Sequence, residues 1–307
     1  MLYDLVIVGG GPAGIAAGVY AARKKNKAVL ITESFGGQSL VSAEVQNWIG
    51  TKSLSGLELA QNLEEHLRGQ DGIEIIENDL VTKVDKTAGG FSVTTREGKT
   101  LETKTILVCS GSRRRKLGVP GEKELDGKGV AYCATCDAPL FSNKTVAVIG
   151  SGNAGLEAVH DLLAYVSKVY LLNRGEAIRG DAVTFESIKN DARVEVIMLA
   201  EAREILGDKF VSGLKYLDKK SNEVKTLELQ GVFVEIGSLP NVEFLGDLVK
   251  KNKYNEIEID ALTQQTSQPG IWAAGDATTV LYKQNNISAG DAIKAVLNIQ
   301  EYLNKNK

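Results

Sequence analysis

The feature that most constrains the fold of this chain is a glycine-rich turn that occurs twice in the same local context. Gly9-Gly10-Gly11-Pro12-Ala13-Gly14 follows an apolar run typical of a buried strand, and an Ala-rich helical segment comes next. The same order of strand, turn and helix returns 141 residues later at Gly150-Ser151-Gly152-Asn153-Ala154-Gly155. Each copy is typical of a βαβ unit, which requires a parallel sheet with a right-handed crossover.

The duplicated unit predicts an α/β protein with two Rossmann-like dinucleotide-binding domains, the second inserted into the first. Both halves carry an alternating stretch typical of a hairpin, namely Phe91–Thr95 with Lys99–Val108, and Ser212–Leu217 with Lys225–Phe233. The segment after about residue 245 is too short for a third domain, so we expect it to complete the first. The predicted domains are therefore residues 1–114 with 246–307, and residues 115–245.

Each glycine of the first turn has a different structural role. Gly9 forms the tight turn, Gly11 lets the backbone approach a pyrophosphate, and Gly14 lets the helix pack on the strand. The helix N-terminus presents free N–H groups and the positive end of its dipole to phosphates. Glu33 lies 19 residues beyond Gly14, where a carboxylate can bind ribose hydroxyls. We predict a dinucleotide site here; the alternative is a turn that serves only helix–strand packing.

The second turn repeats the three glycines, but Asn173 stands at the position that Glu33 has in the first unit. Without the carboxylate a 2′-phosphate is not repelled, and Arg174 and Arg179 can supply charge and fixed donors to it. We therefore predict that this turn, with Asn173, Arg174 and Arg179, binds a nicotinamide dinucleotide, with NADPH favoured over NADH. The alternative is that both arginines belong to a solvated strand end and loop.

A pair of cysteines, Cys133-Ala134-Thr135-Cys136-Asp137, lies between the two turns. Two thiols at this spacing can close a reducible disulfide. The stretch Cys136–Phe141 is expected to open a short helix, whose N-terminus would lower a thiol pKa and favour the thiolate. Asp137 could shuttle the proton that each exchange step requires, the alternative being an ordinary acid at a helix N-terminus.

Zinc is the main alternative for cysteines at this spacing. A structural zinc site needs about four ligands. Beyond the pair, the chain contains only Cys109, His66 and His160, and none of them forms a second paired spacing. We therefore predict no metal site, and we expect both histidines on helix faces and Cys109 as a small buried hydrophobe.

Charge and composition narrow the possible partners and the compartment. A net charge of -3 gives no electrostatic reason to bind nucleic acid or an anionic membrane. No apolar run approaches the roughly 20 residues of a membrane helix, and the N-terminus does not resemble a signal peptide. Three cysteines do not form a disulfide framework, so we expect a cytoplasmic protein. The basic run Arg113-Arg114-Arg115-Lys116 is expected to be a solvated linker, docking of an acidic partner being the alternative.

Motifs from both ends of the chain support a family resemblance. They are Gly9–Gly14, Gly36-Gly37-Gln38, Asn47-Trp48-Ile49-Gly50, Cys133–Asp137, Gly150–Gly155 and Ala274-Gly275-Asp276. With them the whole chain resembles the low-molecular-weight thioredoxin reductases, and it is also similar to the flavoprotein portion of the flavin-carrying component of alkyl hydroperoxide reductase. The resemblance implies FAD in the first domain and NAD(P)H in the inserted one. The further residues it implies as cofactor-binding are Gly37, Gln38, Asn47, Val81, Gly275, Asp276, Lys283 and Gln284.

The same resemblance implies roles for the dithiol and for the partner. It makes Cys136 the sulfur that faces the flavin, Cys133 the interchange thiol that attacks the partner, and Asp137 the acid/base. It also implies a homodimer. We therefore predict an NAD(P)H-dependent disulfide oxidoreductase of the thioredoxin reductase type, whose electrons reach a thioredoxin-like or other small redox protein.

Departures from the family pattern leave the nucleotide and the partner open. The thioredoxin reductase pattern resembles His-Arg-Arg with a further arginine, whereas this chain has Asn173-Arg174-Gly175 and Arg179. The hydroperoxide reductase relatives carry an acidic residue at the position of Asn173, and Tyr282-Lys283-Gln284 is closer to them. Because the chain begins at the FAD strand, we expect the redox partner to be a separate chain. The alternatives are an NADH-dependent reductase of a peroxiredoxin system acting through a separate redoxin, a flavin dithiol oxidase that uses oxygen, and a redox-sensing binding protein without turnover.

Overall fold

The computed structural model describes residues 1–42 and 44–306. Its helices are α1 (Pro12–Arg23), α2 (Gly56–Arg68), α3 (Ala134–Asp137), α4 (Asn153–Leu162), α5 (Ala182–Lys189) and α6 (Asn285–Lys305). Its strands are β1 (Leu2–Gly10), β2 (Ala28–Phe35), β3 (Ile73–Ile76), β4 (Val81–Thr87), β5 (Gly90–Thr95), β6 (Thr100–Val108), β7 (Ser112–Arg114), β8 (Val130–Ala131), β9 (Thr145–Ile149), β10 (Lys168–Asn173), β11 (Val194–Met198), β12 (Ala200–Gly207), β13 (Val211–Asp218), β14 (Glu223–Glu228), β15 (Gly231–Val234), β16 (Ser238–Pro240) and β17 (Ile271–Ala273).

The chain forms two compact units, and the second is inserted into the first. Unit 1 comprises Met1–Arg113 and Leu239–Lys307, and unit 2 comprises Arg114–Ser238. The two segments that connect the units, β7 and β16, pair with each other as a two-stranded sheet. The predicted fold class, with one dinucleotide-binding domain inserted into another, is therefore confirmed.

Unit 1 is built on a seven-stranded sheet in the order β3-β2-β1-β6-β5-β4, with β17 pairing with β6. Strand β1 is parallel to β2 and to β6, whereas β4, β5 and β6 form antiparallel hairpins. Alternate residues of β1 enter different cores: Leu5 and Ile7 pack with α1 and α6, and Val6 and Val8 pack on the opposite face. Both faces of the parallel part are buried, which explains its continuous apolar run.

Unit 2 repeats this arrangement with a five-stranded sheet in the order β11-β10-β9-β15-β8. Strand β9 is parallel to both β10 and β15. Val146 and Val148 pack with α4, whereas Ala147 and Ile149 pack with the three-stranded antiparallel sheet β12-β13-β14. In open parallel sheets of this kind, ligands bind outside the carboxyl ends of the strands, which here are the ends of β9 and β10.

The second predicted hairpin differs from the structure. The sequence predicted one strand over Lys225–Phe233, but the chain forms two strands, β14 and β15. The break lies at Leu229 and Gln230, where the chain leaves its antiparallel partner β13 and joins the parallel partner β9. In unit 1 the single strand β6 serves both neighbours, β5 and β1, so the two halves are similar without being identical.

The boundary between the units also differs from the predicted one. The predicted second boundary lay between residues 245 and 246, whereas the compact units divide after Ser238. Val242 and Leu245 explain the difference, because both are buried in a core of unit 1. Asn241 further anchors this segment, since its Nδ2 donates to the Ser110 carbonyl oxygen at 3.0 Å.

The basic run in the first connecting segment is largely exposed, as expected of a solvated linker, and its two ends have polar partners. Arg113 donates from Nη1 to Asn241 Oδ1 and from Nη2 to Glu243 Oε1, each at 2.7 Å. Lys116 bonds Asp126 at 2.8 Å. Both ends of the run therefore form hydrogen bonds with polar side chains of the protein.

The longest helix, α6, has 21 residues, and polar side chains recur along it. Among residues 1–42 and 44–306, no helix combines the length and apolar character that crossing a bilayer requires.

Candidate functional site

The two glycine-rich turns have almost the same backbone geometry. Gly9 and Gly150 both lie at positive φ, 113° and 119° respectively. A Cβ atom on Gly14 would stand 1.8 Å from the Gly9 carbonyl oxygen, and one on Gly155 would stand 1.9 Å from that of Gly150. At these four positions the fold itself requires glycine, for the turn and for the close packing of helix on strand.

The fold does not require glycine at the middle position of each turn, which Gly11 and Gly152 occupy. Gly11 and Gly152 cap α1 and α4 with φ of -78° and -77°, an extended conformation that any residue adopts. A Cβ on Gly152 would meet no atom within 4 Å, and one on Gly11 would meet only the Gly37 Cα, at 3.9 Å. Neither conformation nor packing requires glycine here. The space that a side chain would fill lies at a helix N-terminus, where a pyrophosphate can approach the backbone.

The N-termini of α1 and α4 are suited to an anion. In the described structure neither helix has a side-chain cap bond, and neither carries an acidic residue in its first turn. Their first N–H groups therefore lack side-chain acceptors and point along the positive end of the helix dipole. The residues present fit the pyrophosphate of a dinucleotide at both turns.

Several side chains that the family resemblance implied are joined in pairs within unit 1. Gln38 Nε2 donates to Asp276 Oδ2 at 3.1 Å, and Asn47 Nδ2 donates to Gln284 Oε1 at 3.3 Å. These bonds join residues 238 and 237 positions apart in the chain. Beside the turn itself, a Cβ on Gly275 would lie 3.5 Å from that of Ala13. The structure thus gathers these implied residues on unit 1, and their contact with FAD stays a prediction.

Three other predicted cofactor residues of unit 1 already interact with the protein: two are hydrogen-bonded or ion-paired, and one is buried in a core. Glu33 accepts a hydrogen bond from Arg96 Nη1 at 2.6 Å, so this carboxylate is already paired. Lys283 bonds Glu256 at 3.0 Å. The Val81 side chain is buried in a core cluster, which leaves only its main chain for a ligand.

Asn173 lies behind the second turn. It is 5% exposed, and its Oδ1 accepts from Ser151 Oγ at 2.8 Å. Its Nδ2 donates to the carbonyl oxygens of Gly175 and Ala177 at 2.9 and 3.0 Å. Asn173 thus fixes the loop that follows β10 to the second turn. The predicted role of Asn173 at the nucleotide is therefore best understood as shaping this loop.

The loop returns to the turn through its backbone. The N–H groups of Arg179 and Gly180 donate to the Ser151 carbonyl oxygen at 3.0 and 2.8 Å, and the Asp181 N–H donates to Asn153 Oδ1 at 2.8 Å. The Arg174 and Arg179 side chains are both exposed, as is Ala154 in the turn. Two guanidinium groups are thus presented from a loop fixed to the second turn.

Cys133 and Cys136 are joined as a disulfide, with their Cα atoms 5.3 Å apart. The helix at this site begins at Ala134, with Cys133 as its N-cap, and a short 3-10 turn follows over Ala138–Phe141. The predicted start at Cys136 was therefore wrong. The Cys133 carbonyl oxygen accepts from the N–H groups of Cys136 and Asp137, so the first helical turn closes around the disulfide itself. Cys133 is the cysteine at the N-terminal end.

Two carboxyl groups with raised pKa values accompany the dithiol. Burial raises the pKa of Asp137 to about 6, against the opposite effect of the Arg114 guanidinium. Burial raises the pKa of Glu235 to about 7; Arg114 and a hydrogen bond from the Ala134 N–H act in the opposite direction. Sequence reasoning missed Glu235 and Arg114. The only available sign was a charged residue directly after the apolar strand β15.

Residues on either side of the cysteines are also fixed. Thr135 Oγ1 donates to Asp161 Oδ2 at 2.8 Å, and Tyr132 donates from its hydroxyl to Glu122 Oε1 at 3.0 Å. The Glu122 carboxylate also accepts the N–H groups of Leu117 and Gly118 at 2.8 and 2.7 Å. The dithiol is therefore held through its neighbours to α4 and to the connecting segment.

No cluster of three or more potential metal ligands occurs among residues 1–42 and 44–306. Cys109 is buried, and burial raises the pKa of its thiol, as expected of a small hydrophobe without redox function. His66 and His160 lie on α2 and α4 as predicted.

Residues 3–294 match the family model described as pyridine nucleotide-disulphide oxidoreductase. The chain belongs to this family. It is thus an enzyme of that class, and the predicted resemblance is confirmed. Pyridine nucleotide-disulphide oxidoreductases of this type depend on FAD and a nicotinamide dinucleotide.

Relatives with two different names are similar to the chain over nearly its whole length. It is 44% identical over 305 residues to a Pseudomonas aeruginosa protein that is named as a component of alkyl hydroperoxide reductase, covering 98% of this chain and 58% of that protein. It is 41% identical over 304 residues to a Bacillus subtilis protein named NADH dehydrogenase, covering 99% and 59%. The chain therefore spans less than two thirds of the length of these relatives.

Solved structures of thioredoxin reductases have the same architecture. The enzyme from Streptococcus pyogenes MGAS5005 superposes with a TM-score of 0.92 at 30% identity, covering 99% of both chains. The enzyme from Giardia duodenalis gives the same TM-score at 29% identity and the same coverage. The chain is thus of the thioredoxin reductase type within its family.

Proposed function

We propose that this chain is an FAD-dependent disulfide reductase that takes electrons from NAD(P)H and passes them through the Cys133–Cys136 dithiol to a small redox protein. The observation that supports the proposal most directly is the disulfide that closes around the first turn of α3, beside a carboxyl with a raised pKa. A second nucleotide turn lies in the same unit, so one unit carries both an electron entry and an electron exit.

The cofactor roles follow from the two turns. FAD would lie at Gly9–Gly14 with Gly37, Gln38, Asn47, Val81, Gly275, Asp276, Lys283 and Gln284 around it, and Glu33 at the ribose. The nicotinamide dinucleotide would lie at Gly150–Gly155, near Arg174 and Arg179. When bound, a flavin accepts a hydride from the nicotinamide and delivers two electrons to a disulfide. The protein binds and orients: free N–H groups at α1 and α4 hold the phosphates, and the fixed loop presents the arginines.

The dithiol would then carry out two exchange steps. The Cys133 thiolate attacks the partner disulfide, whose S–S bond breaks as a mixed disulfide forms. Cys136 next loses its proton and attacks the Cys133 sulfur, which restores the Cys133–Cys136 bond and releases the partner with both electrons. One partner thiolate takes the proton that Cys136 has lost, and the other takes a proton from solvent. Asp137, the residue after Cys136, would hold the proton that moves in these steps. The homodimer, the thioredoxin-like partner and the cytoplasmic location rest on resemblance and composition.

Anaerobic mixing of the flavin-loaded protein with NADPH, and separately with NADH, tests the proposal. Loss of flavin absorbance, followed by catalytic reduction of a thioredoxin disulfide, is the expected result. If neither nucleotide bleaches the flavin while a small dithiol plus oxygen does, the chain is a dithiol oxidase instead. Bleaching without any turnover of a protein disulfide would favour the redox-sensing alternative.

NADH is a second candidate donor, and the name of one relative favours it. The Bacillus subtilis protein at 41% identity is named NADH dehydrogenase. The exposed Arg174 and Arg179 favour NADPH instead, because a guanidinium pairs well with a 2′-phosphate. An NADH-dependent reductase of a peroxiredoxin system would carry the same fold and dithiol.

Arg174→Ala discriminates these donors. If the loop binds a 2′-phosphate, the variant raises the KM for NADPH about tenfold and leaves the KM for NADH unchanged. Steady-state reduction with each nucleotide measures the ratio, and Lys168→Ala, on the same strand–loop unit but at the start of β10, is the control. An equal loss with both nucleotides contradicts the phosphate assignment.

Asp137→Asn should remove a titrating acid from the thiol–disulfide step and, with it, part of the pH dependence of that step. The pKa of Asp137 is raised to about 6, so the wild-type carboxyl is protonated below that pH and can donate. Turnover of the partner disulfide is expected to fall about 100-fold, and the inflection near pH 6 should disappear. A stopped-flow pH profile of the thiol–disulfide step measures both, and an unchanged profile would assign the acid elsewhere.

Asp137→Asn should lower turnover but raise the stability of the folded protein at neutral pH. Folded Asp137 binds its proton more tightly than the unfolded chain does, so stability is lost as pH rises from the ordinary value of 3.8 through about 6. Above pH 6, Asp137→Asn should therefore increase the free energy of unfolding by about 2–3 kcal/mol, with little effect at pH 4. Urea unfolding at both pH values checks the sign.

A further inference from the structure

The β10–α5 loop, residues 174–180, is held by a buried side chain at its start. Asn173 is 5% exposed, and its Nδ2 donates to the carbonyl oxygens of Gly175 and Ala177 at 2.9 and 3.0 Å. Its Oδ1 accepts from Ser151 Oγ at 2.8 Å. A primary amide has two N–H hydrogens, and both are used here within the protein. The last residue of β10 therefore binds the loop that follows it.

We propose that Asn173 is a positioning residue: by fixing the β10–α5 loop it holds the guanidinium groups of Arg174 and Arg179 where they bind the 2′-phosphate of NADPH. The preference for NADPH over NADH then depends on the order of this loop, and Asn173 acts on it through the loop backbone. The proposal deepens the proposed function and rests on it for the nucleotide at Gly150–Gly155.

Ser151, in the second turn, connects both ends of the loop. Its hydroxyl donates to Asn173, which directly precedes Arg174, and its carbonyl oxygen accepts from the N–H groups of Arg179 and Gly180 at 3.0 and 2.8 Å. The Arg174 and Arg179 side chains are exposed, although the backbone that carries them is fixed. A group whose position is fixed in advance loses less conformational entropy on binding, so an ordered loop strengthens the contact of both arginines with a phosphate.

A carboxylate at position 173 could not hold the loop in this way. In many dinucleotide sites a carboxylate at the end of the second strand binds ribose hydroxyls. Here Asn173→Asp would turn an oxygen toward the carbonyl oxygens of Gly175 and Ala177, and Asn173→Leu would leave the same two groups without a donor. Both substitutions release the loop, but only Asn173→Asp adds charge. The pair therefore separates loop order from recognition of the nucleotide by charge.

Hydrogen exchange measures the order of the loop without any nucleotide. In the flavin-loaded wild type, the amides of Arg179 and Gly180 should exchange at least about 100-fold more slowly than in an unstructured peptide, because both are bonded to Ser151. Asn173→Asp and Asn173→Leu should each raise these exchange rates about tenfold. Amides in the middle of β10 should keep their wild-type rates.

Calorimetric titration with NADP⁺ and with NAD⁺ measures the consequence for binding, and these oxidised nucleotides leave the flavin oxidised. Both Asn173 variants should weaken NADP⁺ binding about tenfold and NAD⁺ binding less than about twofold, because only NADP⁺ carries the 2′-phosphate that the two arginines would contact. The FAD-to-protein ratio should not change.

Asn190→Asp and Asn190→Leu are the matched controls, because Asn190 is an exposed residue at the C-terminal end of α5, outside the loop. Both should bind NADP⁺ as the wild type does. Wild-type NADP⁺ affinity in Asn173→Leu, or tighter NAD⁺ binding in Asn173→Asp, overturns the proposal. An equal loss of both nucleotides also overturns it, since a general structural role gives that result.

Ser151→Ala covers the case in which neither Asn173 variant folds, because it removes only the hydroxyl that bonds the Asn173 amide. It should weaken NADP⁺ binding about threefold and leave NAD⁺ binding unchanged. Unchanged NADP⁺ binding in this variant, or unprotected Arg179 and Gly180 amides in the wild type, overturns the proposal.

The proposed function and the role of Asn173 fail separately in these experiments. Selective loss of NADP⁺ binding in a protein that reduces no protein disulfide would sink the proposed function alone. Intact turnover without that selective loss sinks the role of Asn173 alone. If the wild type binds neither nucleotide, the nucleotide site is wrong and the role of Asn173 falls with it.

Discussion

Cys133→Ser is expected to abolish reduction of a partner disulfide, by more than about 10³-fold, while NAD(P)H still bleaches the flavin at the wild-type rate. Cys133 caps α3 and Cys136 lies within its first turn, so the two sulfurs are not equivalent. The N-terminal position favours the Cys133 thiolate as the attacking group. Turnover and flavin bleaching are measured on the same preparation, so a loss confined to turnover locates the defect at the dithiol.

Substitution of the other cysteine, Cys136→Ser, should have a different effect. Its Cys133 can still attack a partner, but the second exchange step cannot follow, so a mixed disulfide accumulates and can be seen on a non-reducing gel. Cys109→Ala is the control, because this buried thiol has no redox partner. If Cys133→Ser traps the partner and Cys136→Ser does not, the roles of the two cysteines are reversed.

Gly152→Ala is expected to lower the efficiency of flavin reduction by NAD(P)H about 100-fold without unfolding the protein. The added Cβ meets no protein atom within 4 Å, and the backbone at this residue is one that alanine adopts readily. The methyl group would instead occupy the space through which a pyrophosphate reaches the N-terminus of α4. Stopped-flow bleaching, the FAD-to-protein ratio and thermal unfolding together separate these effects.

Gly11→Ala is the matched variant at the first turn and should release FAD while leaving the second turn intact. Gly155→Ala provides the contrast, because its Cβ would lie 1.9 Å from a backbone oxygen and unit 2 should be destabilised whatever ligand it binds. If Gly152→Ala and Gly11→Ala both lose FAD to the same degree, the assignment of one nucleotide to each turn is wrong.

Much of the fold could be predicted because its strongest constraints are local. The glycines at Gly9 and Gly14 are required by a single turn and the strand and helix beside it, so a short motif carries the information. The repeat of that motif predicted the second unit, and the shortness of the segment after about residue 245 predicted its insertion. The sequence predicted one strand over Lys225–Phe233, where the structure has two. The break depends on which neighbouring strand the chain pairs with, and hydrophobic patterning does not identify that neighbour.

The site was predicted less completely because its details depend on contacts between distant residues. Arg114 and Glu235 are 121 positions apart in the chain, and their charges interact with that of Asp137 only after folding. Asn173 was correctly singled out as a departure from an acid, yet its burial and its bonds to Ser151 could not be inferred from composition. The pKa values near the dithiol depend on such burial.

The insertion of unit 2 also constrains the order in which the chain can fold during synthesis. Unit 2 is continuous and can assemble as soon as Ser238 has emerged, whereas β6 of unit 1 must wait for β17, whose Ile271 pairs with Ile106 across 165 positions. At roughly 5–20 residues per second this delay is on the order of 10–30 s. During that time the apolar edge of β6 and the face of α1 that packs on α6 remain uncovered. The core of the first unit is therefore completed only after the whole of the second unit has been synthesised.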